Sequence, residues 1–108
     1  MTKAPSAAEK RHLDRIGEMA CLVCERDAVI HHVISNGYHR ITRSHRLVAP
    51  LCVEHHDERF PYSIHHLGDR EFSIVHGISL YPWAVVEWEK SAKAEREAKD
   101  PPHWKMFA

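Results

Sequence analysis

The sequence has no surplus of charge. Its 15 Lys and Arg balance 15 Asp and Glu over 108 residues, a formal net charge of zero. That excludes a strongly basic protein that coats nucleic acid through bulk charge, but not local basic patches. No apolar run approaches the roughly 20 residues that a membrane span needs, and no apolar signal segment opens the chain. Nor is there an even set of cysteines. Cys21, Cys24 and Cys52 cannot all pair, which argues against a secreted disulfide scaffold and for thiols in a reducing, cytoplasmic setting. Internal repeats and low-complexity tracts are absent too.

Histidine is plentiful, with 11 in the chain. Neutral imidazole is both a metal ligand and a proton-transfer group near pH 7. A chain of this length is expected to form a single domain, residues 1–108, with a modest core that a bound metal can reinforce. Ser6-Ala7-Ala8-Glu9 fits a capping box, and Leu13, Ile16, Met19 and Ala20 recur at helical spacing, so a helix is expected over about 6–19. Ala28 to Ile34 is rich in β-branched residues and reads as a strand. Asn36-Gly37 marks a turn. Tyr38 to Arg46 reads as a polar, basic loop. Leu47 to Leu51 reads as a second strand that Pro50 helps to end.

Further helices are expected over about 52–59, stopped by Phe60-Pro61, over Asp69 to Val75, closed by Gly77, and from Pro82 to about Lys99. In the last of these, Trp83, Val86 and Ala84 are expected to face inward, and 89–99 to be mostly solvated. Residues 1–5 and 100–108 read as tails. The apolar His103 to Phe107 stretch is expected to dock on the domain or on a partner.

The stretch that couples these elements is Pro50-Leu51-Cys52-Val53-Glu54-His55-His56. Cys21-x-x-Cys24 presents two sulfurs on one turn, Cys52 adds a third, and His55 completes a four-ligand shell for a structural Zn²⁺. Cys52 shares a helical face with His56 as well as with His55. Adjacent helical residues diverge by about 100°, so the two histidines do not easily serve one ion. One closes the zinc site and the other faces the hairpin. The His31-His32 pair poses the same problem on a strand, where neighbours point to opposite faces. Beside a metal, such a pair can divide the labour: one ring ligates, and the other takes a proton from water.

The ordered set of Cys21-x-x-Cys24, His31-His32-Val33 and Pro50-Leu51-Cys52-x-x-His55-His56 resembles the HNH (ββα-metal) endonuclease family. With His65-His66-Leu67-Gly68 and the run from His76 to Ala84, it resembles within that family a phage-derived, RecA-dependent recombination-enhancement branch. The resemblance covers roughly residues 18–90. It implies an α+β fold in which a zinc-stabilised ββα-metal core is flanked by N- and C-terminal helices. It also implies hydrolysis of DNA phosphodiesters to 5′-phosphate and 3′-hydroxyl ends.

By that resemblance, His31 is the metal ligand that opens the motif, His32 is the general base and His56 is the closing ligand. His55 then falls to the zinc. The middle Asn of the motif is missing here. His45 sits nearest its position and takes a ligand or orienting role, and His65 is a further candidate ligand beyond an insertion at Phe60 to Ile64. Mg²⁺ or Mn²⁺ is the implied working ion, and a histidine-rich site also admits Zn²⁺ or Ni²⁺.

Arg40, Arg43 and Arg46 cluster between the two strands and can track a phosphate backbone, giving non-specific, salt-sensitive DNA binding. Net neutrality points to weak intrinsic affinity and to a helper. The resemblance implies that the helper is a RecA filament and that the setting is a bacterial host cell. The rival function is a non-catalytic zinc-binding module that docks DNA or protein. A metal-storing or metal-sensing protein, suggested by histidine count alone, is the third.

Overall fold

The computed structural model describes residues 3–99. The Ser6–Glu9 capping box forms as expected. The Ser6 hydroxyl accepts from the Glu9 amide, and the Glu9 carboxylate accepts from the Ser6 amide. Helix α1 then runs over Ala7–Gly17. Ser6 is the cap, not the first turn, and the C-terminal bound is two residues short of the expected one.

Strands β1 (Val29–His32) and β2 (Val48–Leu51) pair antiparallel as a two-stranded sheet among the described residues. Val29 lies opposite Leu51, and His32 opposite Val48. Both strands are shorter than their apolar runs. Val33 still donates to the Leu47 carbonyl, so the ladder continues beyond the regular strand. Pro50 sits inside β2, opposite Ile30, and does not end it. In a two-stranded sheet every strand is an edge, where a missing N–H costs little. The connecting loop is tied down by the Asn36 carboxamide, which accepts from the Tyr38 and His39 amides. Gly37 takes a φ of 96° there, a region open to glycine.

Helix α2 spans only Val53–His56, a single turn. The expected continuation to about residue 59 fails because Asp57 is extended, with ψ 132°. Its carboxylate accepts from the Arg59 amide at 2.9 Å and from the Arg59 guanidinium. This local side-chain turn competes with the helix before Phe60-Pro61 is reached. Helix α3 (Ile64–Leu67) is capped by the Ser63 hydroxyl. Helix α4 (Asp69–His76) closes on Gly77 in the left-handed region, as expected.

Helix α5 (Leu80–Lys99) begins two residues before Pro82. Proline is tolerated there because first-turn amides have no intrahelical acceptor. Its buried residues are Leu80, Ala84, Glu87 and Ser91, a stripe at helical spacing. Val86, expected inside, is half exposed. The second half is mostly solvated, as expected, and one side of it still meets α1. There Arg11 pairs with Glu95 and Arg15 donates to Ser91, and just ahead of it Arg15 also pairs with Glu87. The tail stretch 103–107 lies outside the described residues.

These elements make a small α+β domain. Its core gathers Val33, Ala49, Leu51, Ile64, Phe72, Leu80 and Ala84, and Cys21 and Cys52 belong to the same cluster. Among the described residues no helix is long and apolar enough to cross a membrane.

Between α1 and α5 lies a buried histidine. His12 is 1 % exposed, its Nδ1 sits 2.7 Å from the Ser91 hydroxyl, and Trp88 meets its ring edge-on. Burial, reinforced by the Arg15 charge, holds its pKa below the ordinary 6.5. Folded and unfolded chains are both neutral at His12 above that value. Below it, the unfolded chain takes up a proton that the folded chain resists, so stability falls. The denaturant midpoint of the wild type should therefore fall as the pH drops below about 6.5. A His12→Gln variant should show a shallower slope; an equal slope would mean that other groups carry the acid sensitivity.

Candidate metal centres

The turn after α1 presents two sulfurs. The Cys21 amide donates to the Arg26 carbonyl and the Glu25 amide to the Cys21 carbonyl, with Glu25 at a φ of 64°. The Val23 amide points at the Cys21 sulfur at 3.4 Å. Cys52 caps α2, and His55 follows one turn later. The Sγ atoms of Cys24 and Cys52 lie 3.5 Å apart. Nδ1 of His55 is 3.2 Å from the Cys52 sulfur and 3.7 Å from that of Cys21. A tetrahedral zinc with bonds of about 2.3 Å to sulfur separates its ligands by roughly 3.6–3.8 Å. Donor atoms of all four residues fall within 4.8 Å of one another. This Cys₃His cluster has the dimensions and donor chemistry to hold a metal ion such as zinc.

Electrostatics at the cluster point the same way. Burial pushes the Cys52 thiol up to about 11, and the neighbouring Cys24 and Cys21 add to the shift. Burial also raises Cys21, but backbone amides, the Cys52 amide foremost, outweigh it and bring the thiol below its ordinary value. Three crowded sulfurs do not all ionise without a cation among them. Burial, followed by the His76 charge, holds His55 below the ordinary imidazole value, so it keeps a lone pair to offer.

A second cluster faces the other side of α2. His31 is 2 % exposed on β1, and its Nε2 is buried with no hydrogen-bond partner among the described residues. His56 on α2 and His65 on α3 bring their Nε2 atoms to 3.1 Å. Two cis ligands of one ion at about 2.0–2.1 Å stand roughly 2.9–3.4 Å apart. Donor atoms of His31, His56 and His65 all lie within 4.8 Å of one another. Burial, with the neighbouring imidazoles, lowers His31 to about 3 and shifts His56 down. His31 and His56, held neutral, keep lone pairs to offer, and the unpartnered His31 nitrogen suits a metal ligand.

The residues singled out from sequence divide as follows. Cys21, Cys24, Cys52 and His55 form one cluster, and His31, His56 and His65 form the other. His45 belongs to neither. Its Nδ1 lies 3.0 Å from Nε2 of His32, and its Nε2 lies 2.7 Å from the Lys3 carbonyl. Burial, then the Arg43 charge, lowers His32 to about 4. Arg40 and Arg43 line a cleft of about 430 Å³ together with His31, His32, His56 and His65. Arg46 does not reach it. Its guanidinium pairs with Glu9 at 3.1 Å and lies over the Trp88 ring.

Two participants escaped the sequence reading. His76 meets His55 edge-on, with ring centroids 5.1 Å apart, and its Nε2 donates to the Tyr62 carbonyl. It heads the run from His76 to Ala84 that enters the resemblance, but nothing there gave it a role at the cluster. The Lys3 carbonyl carries no sequence signal at all, because every residue has one.

No family model, curated protein or solved structure matches the chain.

Zinc counted by native mass spectrometry should be present in the wild type and lost from Cys21→Ser, with cooperative unfolding alongside, because ligand loss removes binding free energy that the fold uses. His32→Ala should keep its zinc. A folded, zinc-loaded Cys21→Ser protein would show that the sulfur cluster does not staple the domain.

Proposed function

We propose that the chain is a metal-dependent endonuclease of the HNH (ββα-metal) kind that hydrolyses DNA phosphodiester bonds in phage or prophage recombination or DNA processing. The observation that carries this reading is a neutral His32 opening onto the same cleft as the His31–His56–His65 set, with Arg40 and Arg43 at its wall. In this reading Cys21, Cys24, Cys52 and His55 hold a structural Zn²⁺. His31, His56 and His65 hold the working ion, Mg²⁺ or Mn²⁺, with Zn²⁺ or Ni²⁺ also suited to imidazole ligands. When bound, that ion supplies positive charge against the scissile phosphate and the leaving 3′ oxygen.

The chain's own residues do the rest. Arg40 and Arg43 bind the phosphate backbone without reading bases. Nη2 of Arg43 stands 3.3 Å from Nδ1 of His32. A guanidinium–phosphate pair is stronger than that contact, so substrate draws Arg43 away and bares the nitrogen. His32, uncharged at pH 7, then accepts the proton of the attacking water, a contribution of about 10²–10⁴ in rate. Cleavage leaves 5′-phosphate and 3′-hydroxyl ends. A RecA filament or another recombination protein would supplement the weak affinity of a chain with zero net charge.

The rival reading is a non-catalytic zinc-binding module that docks DNA or protein. What favours it is that the Cys₃His cluster has the donor set and spacing of a closed zinc site without help from the second cluster.

Supercoiled plasmid with Mg²⁺ or Mn²⁺ separates the two. The wild type should nick it, and His32→Ala should nick roughly 10²–10⁴-fold more slowly while staying folded. Arg43→Ala should weaken binding and flatten its salt dependence. A wild type that leaves the plasmid intact with either ion sinks the nuclease reading, and a His32→Ala protein as active as wild type removes His32 as the base.

A further inference from the structure

Resting on the nuclease reading, we infer that His45 is a positioning residue for His32. Anchored on the Lys3 carbonyl, it locks His32 in the tautomer whose Nδ1 lone pair faces the cleft.

The direction of the hydrogen-bond chain follows from its ends. A backbone carbonyl only accepts, so Nε2 of His45, 2.7 Å from the Lys3 oxygen, must carry the proton. A neutral His45 then has its lone pair on Nδ1. Nε2 of His32, 3.0 Å away, must be the donor to it. The remaining His32 nitrogen, Nδ1, is left unprotonated. The other end agrees: a guanidinium only donates, and Nη2 of Arg43 stands 3.3 Å from that Nδ1. Both ends thus select the same tautomer independently.

The anchor is itself held. Lys3 lies one turn ahead of the Ser6–Glu9 capping box, and Glu9 also pairs with Arg46 beside His45. The start of α1 and the loop before β2 therefore clasp each other, and the histidine pair spans the distance from that clasp to the cleft. Without His45, only the longer 3.3 Å contact from Arg43 still favours Nε2–H on His32, and a substrate phosphate competes for that guanidinium. With Nδ1 protonated, His32 faces the cleft as a donor and takes no proton from water.

The decisive measurement is imidazole ¹⁵N NMR on zinc-loaded protein free of Mg²⁺ and Mn²⁺, so that it does not depend on turnover. Wild-type His32 should show an unprotonated Nδ1 and a protonated Nε2. Arg43→Ala should keep that pattern, and adding His45→Ala to it should give a mixture of tautomers. His45→Asn, whose Oδ1 accepts where Nδ1 did, should restore the wild-type pattern. A kinetic arm follows nicking: His45→Ala should lower kcat by about 10–100-fold with KM nearly unchanged, and His45→Asn should recover most of it. A wild-type His32 protonated on Nδ1, or an unaltered tautomer when His45→Ala is combined with Arg43→Ala, overturns the inference. Should His45→Ala fail to fold, the wild-type spectrum still decides. If the wild type nicks no DNA while the tautomer pattern stands, the nuclease reading fails and the positioning contact survives.

Discussion

One constraint organises the molecule: four donor atoms from two distant segments must meet in a space the size of a single ion. Cys21 and Cys24 follow α1, whereas Cys52 and His55 belong to the start of α2. Bringing them together closes a loop of about thirty residues, and the entropy of that closure must be offset by something. A small domain has limited apolar area with which to do so. Cys21 and Cys52 also belong to the core cluster with Leu51, Phe72 and Leu80, so the cluster and the core reinforce each other.

The same constraint aims the second cluster. With Cys52 as the cap of α2, the residues three and four positions on point about 100° apart. His55 turns toward the sulfurs, and His56 turns across to His31 and His65. The β1–β2 register completes the arrangement. His31 lies opposite the buried Ala49 and points inward, while His32 points to the loop that carries Arg43 and His45. A slip of one residue would exchange the two histidines. That adjacent imidazoles face opposite ways is thus a property of backbone geometry.

A polar interface holds the flanking helices. Along α5, Glu87 and Ser91 occupy buried positions that periodicity would assign to apolar side chains, and Arg15 and His12 from α1 satisfy them. Buried polar groups are tolerable only when partnered. Their partners come from a helix about 75 residues away in sequence, given by contacts such as Arg15 to Glu87, separated by 72 residues. This is why 89–99 reads as a solvated run of Ala, Glu and Lys, although it packs along α1.

What the amino-acid order determined by itself was local chemistry. The Ser6–Glu9 box, the Gly77 stop, the Cys-x-x-Cys turn and the two adjacent-histidine conflicts all arise from interactions within a few residues, where spacing is geometry. Tertiary structure decided the rest. It placed His55 with sulfur and His56 with imidazole, because only the positions of Cys21 and His31 distinguish the two faces of one helical turn. It sent Arg46 to Glu9 and Trp88 and left Arg40 and Arg43 at the cleft, although all three sit in one basic loop. It ended α2 at Asp57, where a side-chain turn competed with the helix. It set His45 between His32 and a backbone carbonyl, a contact with no signature in the chain because its acceptor is a group that every residue carries.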